Sequence, residues 1–150
     1  MIIIMQFISH SLKETEKIVS DFVKSLPLGE GSGKATVVGL YGELGAGKTT
    51  FTQIIAKQFG IKETVTSPTF VIEKIYELTG QKFLHLIHID AYRLESGDEL
   101  MHLGWKDIIA DPQNIILIEW PERVAEIMPE HVKINLQHSS ENTREIDILK

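Results

Sequence analysis

The stretch Gly42–Thr49, GELGAGKT, limits what this chain can fold into more than any other. It meets every position of the pattern G-x-x-x-x-G-K-S/T. A loop of this kind works in one setting: a strand ends, the glycine-rich turn follows, and a helix begins. Backbone amides and the helix N-terminus then hold phosphate groups, and the lysine reaches the terminal ones. The flanks supply that setting. Thr36–Tyr41 reads as a buried strand, and KTTFTQIIAKQF, from Lys48, reads as a helix that Gly60 ends. A full match arises by chance in roughly one chain in a few hundred of this length. The correct flanks make chance rarer still.

A second glycine–lysine pair, Gly33-Lys34, lies in the run Gly29–Ala35. It fails as a phosphate loop in three ways. Leu28 stands where the first glycine is required. Ala35 stands where a hydroxyl is required. A strand follows it, not a helix. It is expected to be a connecting loop, with Lys34 a solvated charge.

The working loop assigns roles by chemistry. Gly42, Gly45 and Gly47 allow backbone conformations closed to other residues and a close approach of phosphate. Lys48 neutralises the β- and γ-phosphates, and the Thr49 hydroxyl ligates Mg²⁺. The expected nucleotide-binding set is Gly42, Glu43, Leu44, Gly45, Ala46, Gly47, Lys48, Thr49 and Thr50. The guanine-reading tetrapeptide N-K-x-D is absent from the sequence, which favours ATP over GTP. L-S-G-G-Q, the signature of transporter ATPases, is absent as well.

Chemistry on Mg²⁺–ATP needs a carboxylate at the end of a neighbouring strand. Glu119 closes IILIE, four apolar residues and then an acid, which is the Walker-B pattern. Asp90 closes HLIHID. Either acid could hold the ion or act as general base. His88 and Asp90, two apart on a strand, share a face, whereas His85 and His88 point oppositely, which argues against a histidine metal site. Trp120 directly follows Glu119. TSPTF, Thr66 to Phe70, brings hydroxyls and a proline to the expected γ-phosphate side, so Ser67 and Thr69 are candidates for a switch-like loop.

The rest of the chain supports an α/β domain. MIIIMQFISH reads as a strand. It has no basic flank or small-residue cleavage site of a secretory leader, and is too short to span a bilayer. SLKETEKIVSDFVKSL carries an apolar stripe and a capping box at Ser11 and Glu14. FVIEKIYEL and KFLHLIHID, separated by Thr79-Gly80-Gln81, predict a hairpin. SGDELMHLG predicts a short helix with a capping box at Ser96 and Glu99 and a stop at Gly104. VKINLQH and REIDILK predict a terminal hairpin. The sum is one P-loop NTPase-like domain over residues 1–150, a mixed central sheet flanked by helices.

Composition excludes several functions. The sequence has no cysteine, so disulfides, thiolate metal sites and cysteine nucleophiles are ruled out. The formal net charge is −6 with only three arginines, Arg93, Arg123 and Arg144. Such a chain should not grip DNA or RNA by itself, because phosphate neutralisation drives that affinity. The expected location is the cytoplasm, with no membrane contact.

YGELGAGKTTFTQ, SPTF, HIDAYRL, LG and IEWPER occur in the order and spacing of the TsaE (YjeE) ATPases, and the chain resembles that family from about Ser11 to Ile148. The phosphate loop alone is generic; its combination with the later motifs is specific. The resemblance implies a role in bacterial tRNA threonylcarbamoyladenosine synthesis, as a small Mg²⁺-dependent ATPase working with the TsaB–TsaD heterodimer. It implies that tRNA is reached only through that complex. Carried over by motif, Lys48 and Thr49 match the phosphate and magnesium positions, and Asp90 and Glu119 match the acids needed for hydrolysis. Trp120 matches the tryptophan paired with that glutamate. The family places residues of its N-terminal helix near the nucleotide, here the region Ser11 to Thr15. One departure is the absence of a second glycine near Gln53. Two other readings of the phosphate loop are a small-molecule or nucleotide kinase and a nucleotide-gated interaction protein with little turnover. Few arginines and no lid insertion argue against the kinase.

Overall fold

The computed structural model describes residues 3–27, 33–63, 65 and 72–150. Among these residues the strands are β1 (Ile4–Ser9), β2 (Thr36–Tyr41), β3 (Glu73–Glu77), β4 (His85–Asp90), β5 (Asn114–Glu119), β6 (Val132–His138) and β7 (Arg144–Leu149). They form one sheet in the order β1-β7-β6-β2-β5-β4-β3. The four central strands run parallel: β2 lies between β6 and β5, and β5 lies beside β4. Antiparallel strands complete both sides, β3 on β4 and the hairpin β6–β7 with β1. The mixed α/β architecture expected from the sequence, with both hairpins, is the one observed.

Among the described residues four α-helices cover the sheet: α1 (Leu12–Ser25), α2 (Lys48–Gln58), α3 (Asp98–His102) and α4 (Trp105–Ala110). The strand pattern explains how. Strand β5 is buried along its whole length, as a continuous apolar run at the centre of a two-sided sheet must be. Ile115 and Leu117 join a core with Phe22 of α1 and with Phe51 and Ile55 of α2. Ile116 and Ile118 join a second core with Leu100 of α3, Trp105 of α4 and Val124. Each fully buried leucine or isoleucine contributes about 1.5–3 kcal/mol.

Helix ends follow local chemistry. At the start of α1, the Ser11 hydroxyl accepts from the Glu14 amide at 3.1 Å. The Glu14 carboxylate accepts from the amide of His10, one residue before the cap. The box therefore forms with its return bond displaced by one position. Helix α2 closes in a Schellman motif at Gly60: the Gly60 amide donates to Lys57 at 3.0 Å and the Ile61 amide to Ala56 at 3.1 Å. The box expected at Ser96 and Glu99 does not form. Gly97 caps α3, and the Ser96 hydroxyl reaches the amide of Asp98, not that of Glu99. Ser96 sits one residue too early, so its oxygen serves a turn before the helix. Gly104 separates α3 from α4, a helix the sequence reading did not separate out.

Around Gly33-Lys34, strand β2 follows directly, as expected for a connecting loop; residues 28–32 lie outside the described set. No helix among the described residues is long and apolar enough to cross a membrane.

Candidate nucleotide site

The loop Gly42–Gly47 leaves the end of β2 and enters α2, the setting the motif requires. Two of its glycines are sterically demanded. Gly42 has φ +148°, and a Cβ there would lie 2.5 Å from the carbonyl oxygen of Leu136 on β6. Gly47 caps α2 in the left-handed region, φ +103°, and a Cβ there would lie 2.9 Å from Nη1 of Arg144. The loop is thus pressed against the C-terminal hairpin on one side while Glu43, Leu44 and Gly45 stand exposed on the other. Ala46 is buried and anchors it.

Lys48 is 6% exposed. Its ammonium donates to the carbonyl of Gly42 and, at 2.9 Å, to that of Glu43. The same Nζ lies 4.1 Å from the centroid of the Trp120 ring. Burial pushes this amine below its usual range, opposed by the negative charges of Glu119, Glu122, Glu43 and Asp90.

Sheet register delivers the acids. Asp90 pairs with Glu119 across the parallel strands β4 and β5, and both acids lie where their strands end beside the loop. Glu119 is 2% exposed. One of its oxygens accepts the Thr49 hydroxyl at 3.2 Å. The other lies 2.6 Å from Nε2 of His88, a fully buried side chain. Asp90 is half-buried and accepts the Tyr92 amide at 3.0 Å in a turn. Desolvation raises its carboxyl above the usual value. Among the described residues no cluster of three or more histidine or acidic side chains makes a metal site of protein ligands alone.

A pocket of about 310 Å³ gathers these groups. Leu44, Gly45, Gly47, Lys48, Thr49, Thr50, Asp90, Glu119 and Trp120 all line it, with Tyr92 and Arg144. The expected catalytic and metal-binding residues therefore share one cavity with Leu44, Gly45, Gly47, Lys48, Thr49 and Thr50 of the expected nucleotide-binding set, whereas Gly42, Glu43 and Ala46 of that set do not line it. Ser67 and Thr69, the candidate switch residues, lie outside the described set. The region Ser11 to Thr15 lies nearby: Ser11, Leu12 and Thr15 line an adjoining cavity with Thr50, Glu141, Asn142 and Arg144.

Three features were missed in the sequence. Arg144 reaches the loop from β7 and lines both cavities; nothing local marks it, because a hairpin almost a hundred residues later carries it there. Trp120 adopts φ 60°, the only non-glycine residue with positive φ among those described, and so turns the chain sharply after Glu119 into the 3-10 helix Pro121–Ile127. Left-handed backbone costs a non-glycine residue roughly 1–2 kcal/mol. Here it sets the indole over Lys48 and 5.0 Å from the Tyr92 ring, which Arg123 covers in turn. Third, His88 is the partner of Glu119.

The chain is similar to known proteins of one family. The family model for threonylcarbamoyl adenosine biosynthesis protein TsaE matches residues 9–146. The tRNA threonylcarbamoyladenosine biosynthesis protein TsaE of Treponema pallidum is 39% identical over 116 residues, 77% of this chain and 82% of that protein. The protein of the same description from Rickettsia prowazekii is 36% identical over 143 residues, 94% of this chain and 92% of its own. The crystal structure of Bacillus subtilis YdiB superimposes with a TM-score of 0.77 at 29% identity, covering 99% of this chain and 86% of that one. With the glycine–lysine loop Gly42–Thr49, the paired strand-end acids and this family match, the chain belongs to the TsaE family of tRNA threonylcarbamoyladenosine biosynthesis proteins.

Proposed function

We propose that the protein is a Mg²⁺-dependent ATPase that serves tRNA threonylcarbamoyladenosine synthesis by acting on a TsaB–TsaD complex. One observation carries the reading: Lys48, Thr49, Asp90 and Glu119 line a single pocket at the N-terminus of α2. The donor set fits Mg²⁺–ATP. An ammonium and the first amides of a helix suit a polyphosphate. The Thr49 hydroxyl and the Glu119 carboxylate are 3.2 Å apart. Adjacent oxygens on an octahedral Mg²⁺, each about 2.1 Å from the ion, stand at about 3 Å.

Mg²⁺ would be held by Thr49 with Glu119 and Asp90, and would supply charge neutralisation for the phosphates. The chain's own groups do the rest. Lys48 gives up its carbonyl partners to bind the terminal phosphates. Glu119 or Asp90 orients a water and accepts its proton. Trp120 shields the buried end of the pocket from bulk water. Arg144 adds a second positive charge beside Gly47.

The acidic surface supports a protein partner. With net charge −6 the chain is poorly suited to hold tRNA alone, so tRNA is reached through the complex. The exposed Tyr92–Arg123 pair, in contact with Trp120, is a route by which nucleotide state reaches the surface.

Calorimetric titration tests the binding half. ATP with Mg²⁺ should bind, GTP more weakly, and Lys48→Ala should weaken ATP by about a hundredfold or more. Equal ATP affinity in the Lys48→Ala variant would remove this pocket from nucleotide binding.

A further inference from the structure

Burial of an imidazole beside Glu119 has a functional consequence. His88 is 0% exposed and Glu119 is 2% exposed. His88 lies two residues before Asp90 on β4 and pairs with Leu117, two residues before Glu119 on β5, so its side chain reaches Glu119 diagonally across the parallel pair. Its Nε2 is 2.6 Å from one carboxylate oxygen, while the Thr49 hydroxyl takes the other. Both oxygens of Glu119 are therefore engaged, which fixes the plane of the carboxylate and its aim.

The other ring nitrogen, Nδ1, is buried with no hydrogen-bond partner. A carboxylate oxygen accepts, so Nε2–H is assigned as the donor of this contact, and Nδ1 has no acceptor in reach. A buried polar atom left unpaired opposes folding, and an apolar residue at this core position would avoid that cost. Among the described residues the hydrogen bond of the His88 side chain is thus the one to Glu119.

We propose that His88 is a positioning residue for Glu119, its Nε2–H fixing the carboxylate towards Thr49 and the phosphate pocket. This rests on the reading of the pocket as a Mg²⁺–ATP site. His88 touches neither phosphate nor metal; it acts through Glu119. Because Nδ1 makes no bond, a glutamine, whose side-chain N–H₂ reaches about as far as Nε2, can replace the function. Leucine fills the volume without a donor.

The test compares wild type, His88→Gln and His88→Leu. ATP affinity is measured in EDTA and in Mg²⁺, steady-state hydrolysis is measured alongside, and imidazole ¹⁵N spectra are recorded without nucleotide. The His88 signal, identified by its loss in His88→Gln, should show Nε2 protonated and Nδ1 bare. His88→Leu should bind ATP in EDTA within about twofold of wild type, lose at least fivefold of the gain given by Mg²⁺, and lose at least tenfold in kcat. His88→Gln should restore most of both. A proton on Nδ1 overturns the assignment. So do a His88→Leu variant that keeps the Mg²⁺ gain and kcat, one that loses EDTA binding equally, and a glutamine that restores nothing. No Mg²⁺ gain in wild type sinks the ATP reading and the positioning role with it; a gain kept by His88→Leu overturns positioning alone.

Discussion

The Lys48 ammonium sits 4.1 Å from the centroid of the Trp120 ring, with two loop carbonyls as its hydrogen-bond partners. Lys48, which in the proposed function binds the polyphosphate, is thus parked on its own loop and on an indole. Cation–π contacts of this kind are worth about 0.5–2 kcal/mol, and more when desolvated. A phosphate that draws Lys48 away must change the environment of Trp120.

Tryptophan fluorescence should report that change. Trp105, the second tryptophan, is 1% exposed, lies in the core cluster that Trp120 borders, and donates its indole N–H to the Ile127 carbonyl at 3.2 Å, away from Lys48. Adding Mg²⁺–ATP should shift emission in the wild type and leave Trp120→Phe nearly silent. A shift that survives in Trp120→Phe would show that the indole does not sense Lys48.

Gly42 offers a stability test. Alanine at this position would put a Cβ 2.5 Å from the Leu136 carbonyl and keep an unfavourable φ. Gly42→Ala should lose about 2 kcal/mol or more in urea unfolding, and ATP binding should fall with it. A stable Gly42→Ala protein that binds ATP normally would mean the loop can leave β6 without cost.

Asp90 predicts a pH dependence. Desolvation raises its folded-state pKa above the unfolded value, against a lowering by the Tyr92 amide. The folded protein then holds this proton more tightly than the unfolded chain does. Its contribution is best below the unfolded pKa and is lost as pH rises through the folded one. At pH 7 the ionised group is a liability until a cation arrives. Asp90→Asn should therefore melt roughly 1–3 °C higher than wild type at pH 7 without Mg²⁺, a modest gain because solvent screens a half-buried acid. The difference should shrink towards pH 4. Thermal melts at the two pH values check this, and a lower melting temperature for Asp90→Asn at pH 7 would contradict it.

Much of this site was legible from sequence because its chemistry is local. The phosphate loop needs eight consecutive residues and its flanks, and Glu119 and Asp90 each end an apolar strand, so pattern alone found them. What stayed hidden depends on distant pairing. Arg144 is an unremarkable strand residue until β7 folds back beside β6, next to β2. The His88–Glu119 contact requires the β4–β5 register, which no single strand encodes. The left-handed backbone at Trp120 has no glycine to announce it. In the fold, long periodic elements were readable, whereas the cap of α3 slipped by one residue and α4, six residues long, was not distinguished.

The proposed function stands or falls on ATP hydrolysis that Glu119 governs and TsaB–TsaD stimulates. Phosphate release should be measured for the protein alone and with purified TsaB–TsaD, for wild type, Lys48→Ala and Glu119→Ala. Release should be slow alone, at least tenfold faster with the complex and no higher than background for Lys48→Ala, while Glu119→Ala should bind ATP without turnover. Release that TsaB–TsaD leaves unchanged, or that Glu119→Ala sustains at the wild-type rate, would contradict the proposed function.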